Sequence, residues 1–248
     1  MSLRPIPRLL GPSLVVLAGC ADLSAASNQS FRIPPESSQL VVVRSADWAA
    51  APATLTRHRR RDGVFVADGE PIPVVLGRSG LGWGLGLHPE GLEGPVKQEG
   101  DGRAPAGVFE LGEAMGYLSA APGGSRWPYQ SSTGRVCVDD PASPFYNRIV
   151  GPEVPPGWKS AEKMVRNDSL YEWLVLVRHN PKPVAGAGSC IFLHVWRATD
   201  KPTVGCTATD ADALLGLIGW LEPAALPLLV QLPEEVYRGV AQSWGLPP

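Results

Sequence analysis

Apolar residues along this chain fall in short runs broken by glycine, proline or charge, and seldom at the three-to-four spacing of a helix face. Residues 40–43 form the first run, and 53–57, 63–67 and 72–76 continue it with β-branched residues between turn formers. Pro73 places the last of these at a sheet edge or a strand start. Residues 80–86 alternate glycine with Leu and Trp. The spacing is not GxGxxG and no P-loop lysine follows, so this reads as a glycine-relaxed strand packed close to its neighbour. From 113 to 158 the pattern dissolves into Gly, Pro, Ser and aromatics, an irregular insertion of the kind that forms a lid or substrate wall. Order returns with strands at 172–177 and 191–196. After Cys206, Thr207 or Thr209 caps a helix with Asp210 and Asp212 in its first turn and its body at 214–221. Residues 226–232 read as a last strand, and Pro233-Glu234-Glu235 opens a closing helix. The pattern predicts a mainly β domain, mostly antiparallel, with a few short helices (α+β).

Composition narrows this. A chain of 248 residues holds one substantial core plus a tail. A net charge of −2 with no basic stripe excludes a nucleic-acid partner, and Arg57 to Arg61 reads as a solvated hairpin loop. No CxxC or HExxH spacing occurs, so neither metal nor cofactor is expected, and His88 reads as an exposed loop residue.

The N-terminus carries Arg4 and Arg8, then an apolar stretch at 9–17 too short to span a bilayer. Leu17-Ala18-Gly19-Cys20 follows, and it resembles the bacterial lipobox. Residues 1–19 are then a signal peptide, Cys20 the lipidated residue, 20–37 a flexible tether and 38–248 the folded domain. Ala21 stands where an Asp would signal inner-membrane retention, so a periplasmic location with a lipid anchor in the outer membrane is expected. Setting Cys20 aside leaves three cysteines, an odd number in an exported chain. Cys206 reads as the free thiol, and Cys137 with Cys190 as the candidate bridge.

The chemistry concentrates in the strand ending at His194 and in Gly205-Cys206 beyond it. Cys190, Phe192 and His194 share one strand face by alternation. A thiol attacks as its thiolate, which a nearby imidazole and a helix N-terminus both favour, so Cys206 at the predicted helix start is a candidate nucleophile and His194 its base. If the strand is buried on both faces, His194 is instead a core histidine. His179 either borders the same cleft or ends a strand in solvent. Trp127, Tyr129, Tyr146, Trp158 and Trp173 either wall a groove or fill the core.

Lys97-Gln98-Glu99-Gly100-Asp101-Gly102-Arg103-Ala104-Pro105-Ala106-Gly107-Val108-Phe109, taken with His194 and Thr203-Val204-Gly205-Cys206, resembles the L,D-transpeptidase (YkuD-like) catalytic domain of bacterial cell-wall enzymes. The resemblance covers roughly residues 38 to 232 and implies a β-sandwich or barrel with the catalytic cysteine at a helix start. It implies Cys206 as nucleophile, His194 as general base and backbone N–H groups around Gly205 as oxyanion donors. Arg197, Thr203, Thr207, His179 and Trp173 are the expected substrate-binding residues. The implied partners are peptidoglycan stem peptides, joined by a monomeric enzyme through a cysteine acyl-enzyme. Resolution of that intermediate by water (a carboxypeptidase), release of a peptidoglycan-linked lipoprotein, or an inactive wall-binding lipoprotein are the alternatives. Three departures stand out: Val204 where members carry a second His, Ala208 where they carry Arg or Asn, and a short His-to-Cys interval.

Overall fold

The computed structural model describes residues 1, 31–121 and 123–248, so the expectations for the signal peptide and for lipidation at Cys20 lie outside the described residues. The strands, in chain order, are β1 Gln39–Ser45, β2 Pro52–Arg61, β3 Val64–Ala67, β4 Ile72–Val75, β5 Leu81–Trp83, β6 Ala104–Gly116 and β7 Tyr129–Ser131. They continue as β8 Val136–Val138, β9 Arg148–Val150, β10 Ala161–Lys163, β11 Trp173–Val177, β12 Phe192–Val195, β13 Thr207–Thr209 and β14 Leu228–Pro233. Two helices, α1 Ala211–Trp220 and α2 Glu234–Trp244, complete the fold.

Eight strands close on themselves in the order β1-β14-β6-β11-β12-β13-β4-β2, with β2 returning to β1. The pairs β1–β14 and β12–β13 are parallel and the other six junctions antiparallel, so the fold is a mixed β-barrel rather than a sandwich. Closure removes exposed edges, which suits a chain of many short strands. A second, three-stranded antiparallel sheet has the order β10-β8-β9. Its strands β8 and β9 lie within the segment read as irregular, and β10 lies just past it.

The main core cluster includes Val41, Val43, Leu55, Val108, Leu193 and Val230. β1 is buried along almost its whole length because α2 packs on it and on β14. Asp210 starts α1, its carboxylate accepting from the Asp212 and Ala213 N–H groups, and Leu214, Leu217 and Ile218 form the buried face. α2 opens on two acids and stops at Gly245 (φ +69), whose N–H returns to the Ala241 and Gln242 carbonyls.

Several expectations are corrected here. The basic cluster is not a loop. Arg57 to Arg61 belong to β2, and the turn is Asp62-Gly63, both at positive φ, as a tight hairpin needs. β6, the longest strand, was not anticipated: it runs through Pro105, Gly107 and Gly112 and into residues 113–116, read as the start of the irregular insertion. Gly107 (φ +136) is there because a Cβ would overlap the His88 ring. His88 is buried rather than exposed, its Nδ1 accepting the Val108 N–H at 3.1 Å. Residues 31–37 are no free tether: Ile33 is buried and its N–H donates to the Trp244 carbonyl at 2.8 Å. No helix of the described residues is long and apolar enough to cross a membrane.

Candidate active site

β12 and β13 run in parallel with Leu193 opposite Thr207 and His194 opposite Ala208, which sets Cys206 level with Phe192. Alternation then divides the pair of strands. Leu193 and Val195 enter the main core, while Phe192 and Cys206 join a separate apolar cluster with Tyr171 and the other two cysteines. His194 is the diagonal neighbour of Cys206 on that same face. Both line a cleft of about 700 Å³.

Cys206 does not stand at a helix start. β13 intervenes, and α1 begins at Ala211 under its own cap. No helix N-terminus favours a thiolate, and the thiol is buried: Sγ accepts the Phe192 N–H at 3.4 Å and donates to the Cys190 carbonyl at 3.5 Å. Burial, reinforced by the Glu162 charge, pushes Cys206 up to about 12. His194 Nδ1 lies 2.7 Å from the Val195 carbonyl. A carbonyl only accepts, so Nδ1 carries the proton and Nε2 keeps its lone pair. Burial pulls His194 down to about 4; hydrogen bonds to the Val195 and Leu170 backbone and the Asp168 charge oppose this, and the Arg166 charge adds to it. The resting pair is therefore neutral thiol and neutral imidazole.

The 97–109 segment braces this site. Lys97 is buried, with Nζ 2.7 Å from Asp101 and 2.6 Å from the Gln98 carbonyl. Asp101 also accepts the Gln98 and Arg103 N–H groups, each at 2.8 Å. Arg103 donates to the carbonyls of Ser79 and Leu81 at 2.8 and 2.7 Å. Glu99 accepts from Ser189 Oγ at 2.7 Å and from Tyr146 Oη, and its N–H donates to the Gly186 carbonyl at 2.8 Å. These bonds pin the loop that leads into β12.

Of the expected substrate-binding residues, Arg197 and Thr203 line the cleft. Arg197 is exposed, 3.8 Å from Asp168. Thr203 Oγ1 is occupied by the loop, donating to the Cys206 carbonyl at 2.7 Å and accepting the Gly205 N–H at 3.0 Å. The Gly205 N–H is thus engaged rather than free for an oxyanion. Gly205 (φ +156) is needed sterically, since a Cβ would sit 3.1 Å from the Arg103 carbonyl oxygen.

The other three are corrected. Thr207 points into the barrel and donates to Gln231 Oε1 at 2.6 Å, because it alternates with Cys206. His179 is buried between the Leu85 N–H at 3.2 Å and the Ala187 carbonyl at 2.9 Å. Trp173 packs in the main core. Cys137 and Cys190 are joined, with S–S 2.08 Å and Cα–Cα 5.9 Å, and among the described residues Cys206 is the free cysteine.

Residues that the sequence did not reveal are Glu162 on β10, Asp139 after β8, Arg166, and Tyr171 on the 3-10 turn Ser169–Tyr171, all lining the cleft. They come from the segment read as irregular or from just past it, and no motif marks them. Among the described residues, no group of three or more His, Cys, Asp or Glu is placed to hold a metal ion.

No family model and no curated protein matches the chain. Solved structures similar to it include the helical cell shape determining protein Pgp2 from Campylobacter jejuni. That match has 15% identity and a TM-score of 0.40, and covers 78% of this chain and 47% of that one. A point mutant of the same protein matches with 15% identity and a TM-score of 0.41, over 78% and 46% of the respective chains. The chain spans about half the length of the structures it matches. This corrects the motif-based resemblance: membership of the L,D-transpeptidase family does not stand, and a distant likeness at this level carries no inference about activity.

Proposed function

We propose that the chain is a cysteine acyltransferase that joins peptidoglycan stem peptides through a thioester on Cys206. The observation that carries this is the placement of Cys206 and His194 as diagonal neighbours on one face of adjacent strands, both opening on one cleft. In the first half-reaction Sγ bonds to a peptide carbonyl carbon, and His194 Nε2 takes the thiol proton. The C–N bond then breaks and the leaving amine receives that proton. In the second half-reaction a new amine attacks the thioester, passes its proton through Nε2 back to sulfur, and leaves as an amide. Because the resting pair is neutral, proton transfer accompanies attack rather than preceding it.

The substrate class follows from charge. The cleft carries cations at Arg78, Lys97, Arg166, Arg197 and Lys201 and carboxylates at Glu99, Asp139 and Glu162. Such a mixed lining suits a peptide bearing both free carboxylates and free amines, as cell-wall stems do. The lipobox-like sequence at Cys20 supports a lipid-anchored protein in the periplasm, where that substrate lies.

Incubation with disaccharide tetrapeptides tests the reading by mass spectrometry. An acyl adduct on Cys206 and a cross-linked product lacking one terminal residue are expected. Trimmed stems without cross-links would replace transfer by hydrolysis, and no adduct at all would overturn the nucleophile.

A further inference from the structure

The wall of the cleft holds a carboxylate and a phenol that the acyl-transfer scheme does not use. Glu162 Oε1 accepts from Tyr171 Oη at 2.6 Å. The Tyr171 ring, itself buried, stands edge-to-face against the His194 imidazole, with centroids 5.3 Å apart and planes at 73°. It meets Phe192 in the same way at 5.6 Å. The Arg166 guanidinium carbon lies 5.1 Å from the Tyr171 centroid, and its Nη1 is 3.7 Å from Glu162. Asp168 caps the 3-10 turn by accepting the Leu170 N–H at 3.2 Å, and it holds Arg166 by two further bonds at 3.0 and 3.2 Å. Turn, guanidinium, carboxylate and phenol form one assembly, and it meets the reaction centre at the His194 ring.

The Glu162 side chain is 25% exposed and its nearest cation, Arg166, is 3.7 Å away, so ion pairing at the surface is a weak reason for a carboxylate there. Its geometric effect is specific. The imidazole meets two backbone groups, the Val195 carbonyl at Nδ1 and the Leu170 backbone, and its plane must still be set before Nε2 can meet the thiol. The Tyr171 ring packs against that plane, and Glu162 fixes the phenol. The charged groups around the pair are Arg166 and Asp168 near His194, and Glu162 and Lys97 near Cys206.

We propose that Tyr171 and Glu162 are positioning residues for His194: the carboxylate clamps the phenol, and the phenol ring holds the imidazole with Nδ1 on the Val195 carbonyl and Nε2 turned to the Cys206 thiol. The turnover arm of the test rests on the acyltransferase reading; the ring-order arm does not. Tyr171→Phe, Glu162→Ala and Glu162→Gln are compared with wild type by nitrogen NMR of the His194 ring and by steady-state transfer with disaccharide tetrapeptides. Thermal melts check that each is folded, and Tyr171→Phe removes a single oxygen.

Wild type is expected to show one Nδ1–H tautomer. Tyr171→Phe and Glu162→Ala should show mixed or exchange-broadened tautomers and a kcat lower by about tenfold with KM little changed, as for a small misplacement of a catalytic group. Glu162→Gln keeps an acceptor for the phenol and should recover most of both losses. An unaltered tautomer signal in Tyr171→Phe and Glu162→Ala overturns the inference, as does Glu162→Gln behaving like Glu162→Ala. An ordered His194 that the variants disorder, in a protein that never acylates, would uphold the positioning role and remove the acyltransferase reading instead.

Discussion

At the scale of single residues, the site depends on a thiol and an imidazole that are both neutral at rest. Cys206→Ala removes a small, buried sulfur from a partly apolar cluster, so transfer should vanish while the melting temperature moves little; a variant retaining wild-type turnover would refute the nucleophile. Neutrality makes a second expectation. With Cys206 pushed up to about 12 and His194 pulled down to about 4, alkylation of the free enzyme by iodoacetamide should climb steadily from pH 7 to 10. A plateau already reached below pH 7 would reveal a preformed thiolate–imidazolium pair and contradict the resting state described. Cys206 was legible as a nucleophile from residue types alone. Its buried state was not, because the groups that bury it, Tyr171 on one side and Phe192 with the Cys190 backbone on the other, are brought in by two separate segments.

At the scale of elements, the small sheet is tied to the residues just before β12 by one covalent link. Cys137 on β8 pairs across the ladder with Glu162 on β10 and is bonded to Cys190 just before β12. Cys190 has φ +56, a strained conformation for a side-chain-bearing residue, and its N–H is held by Asn147 Oδ1 at 2.9 Å. A bridge across 53 residues contributes about 4 kcal/mol in the chain-entropy model. Reduction, or Cys137→Ala with Cys190→Ala, should lower stability by that order and raise hydrogen exchange in β8–β10 before the barrel. Uniform loosening of barrel and small sheet together would argue against a local strut. Helix α1 offers a smaller test: Asp210→Ala leaves two N–H groups without their acceptor and should cost about 1 kcal/mol by denaturant titration.

At the scale of the whole molecule, three buried histidines set the acid limit of the fold. His88, His179 and His194 are each drawn down to about 4, in every case chiefly by burial. Unfolding exposes them to water, where they bind protons near the ordinary value of about 6.5. Between those pH values the unfolded state holds more protons than the folded one, so stability falls as pH drops from 6.5 towards 4 and levels off below. Each histidine contributes up to roughly 3 kcal/mol to that loss. Melting temperatures across this range should fall steeply, and replacing His88 or His179, both outside the cleft, should flatten the slope. An unchanged melting temperature from pH 6.5 to 4 would be incompatible with three neutral buried rings.

Much of this architecture is local and therefore readable in one dimension. Alternating β-branched runs at 40–43, 72–76 and 172–177 are strands because their own side chains prefer an extended backbone with one or both faces covered. The Pro233-Glu234-Glu235 start of the last helix is equally self-contained. Residues 104–116 are different: their glycines and Pro105 look like breakers, and they form the central strand because β14, β11 and the His88 ring require close backbone approach on both sides. The same division runs through the site. Residue types nominated Cys206 and His194, but a one-residue alternation, fixed by the β12–β13 register, turned Thr207 inward and Cys206 into the cleft. Glu162 and Tyr171 reach that cleft through long-range pairing and a disulfide. Such contacts join residues far apart in the chain, and no local pattern of side chains encodes them.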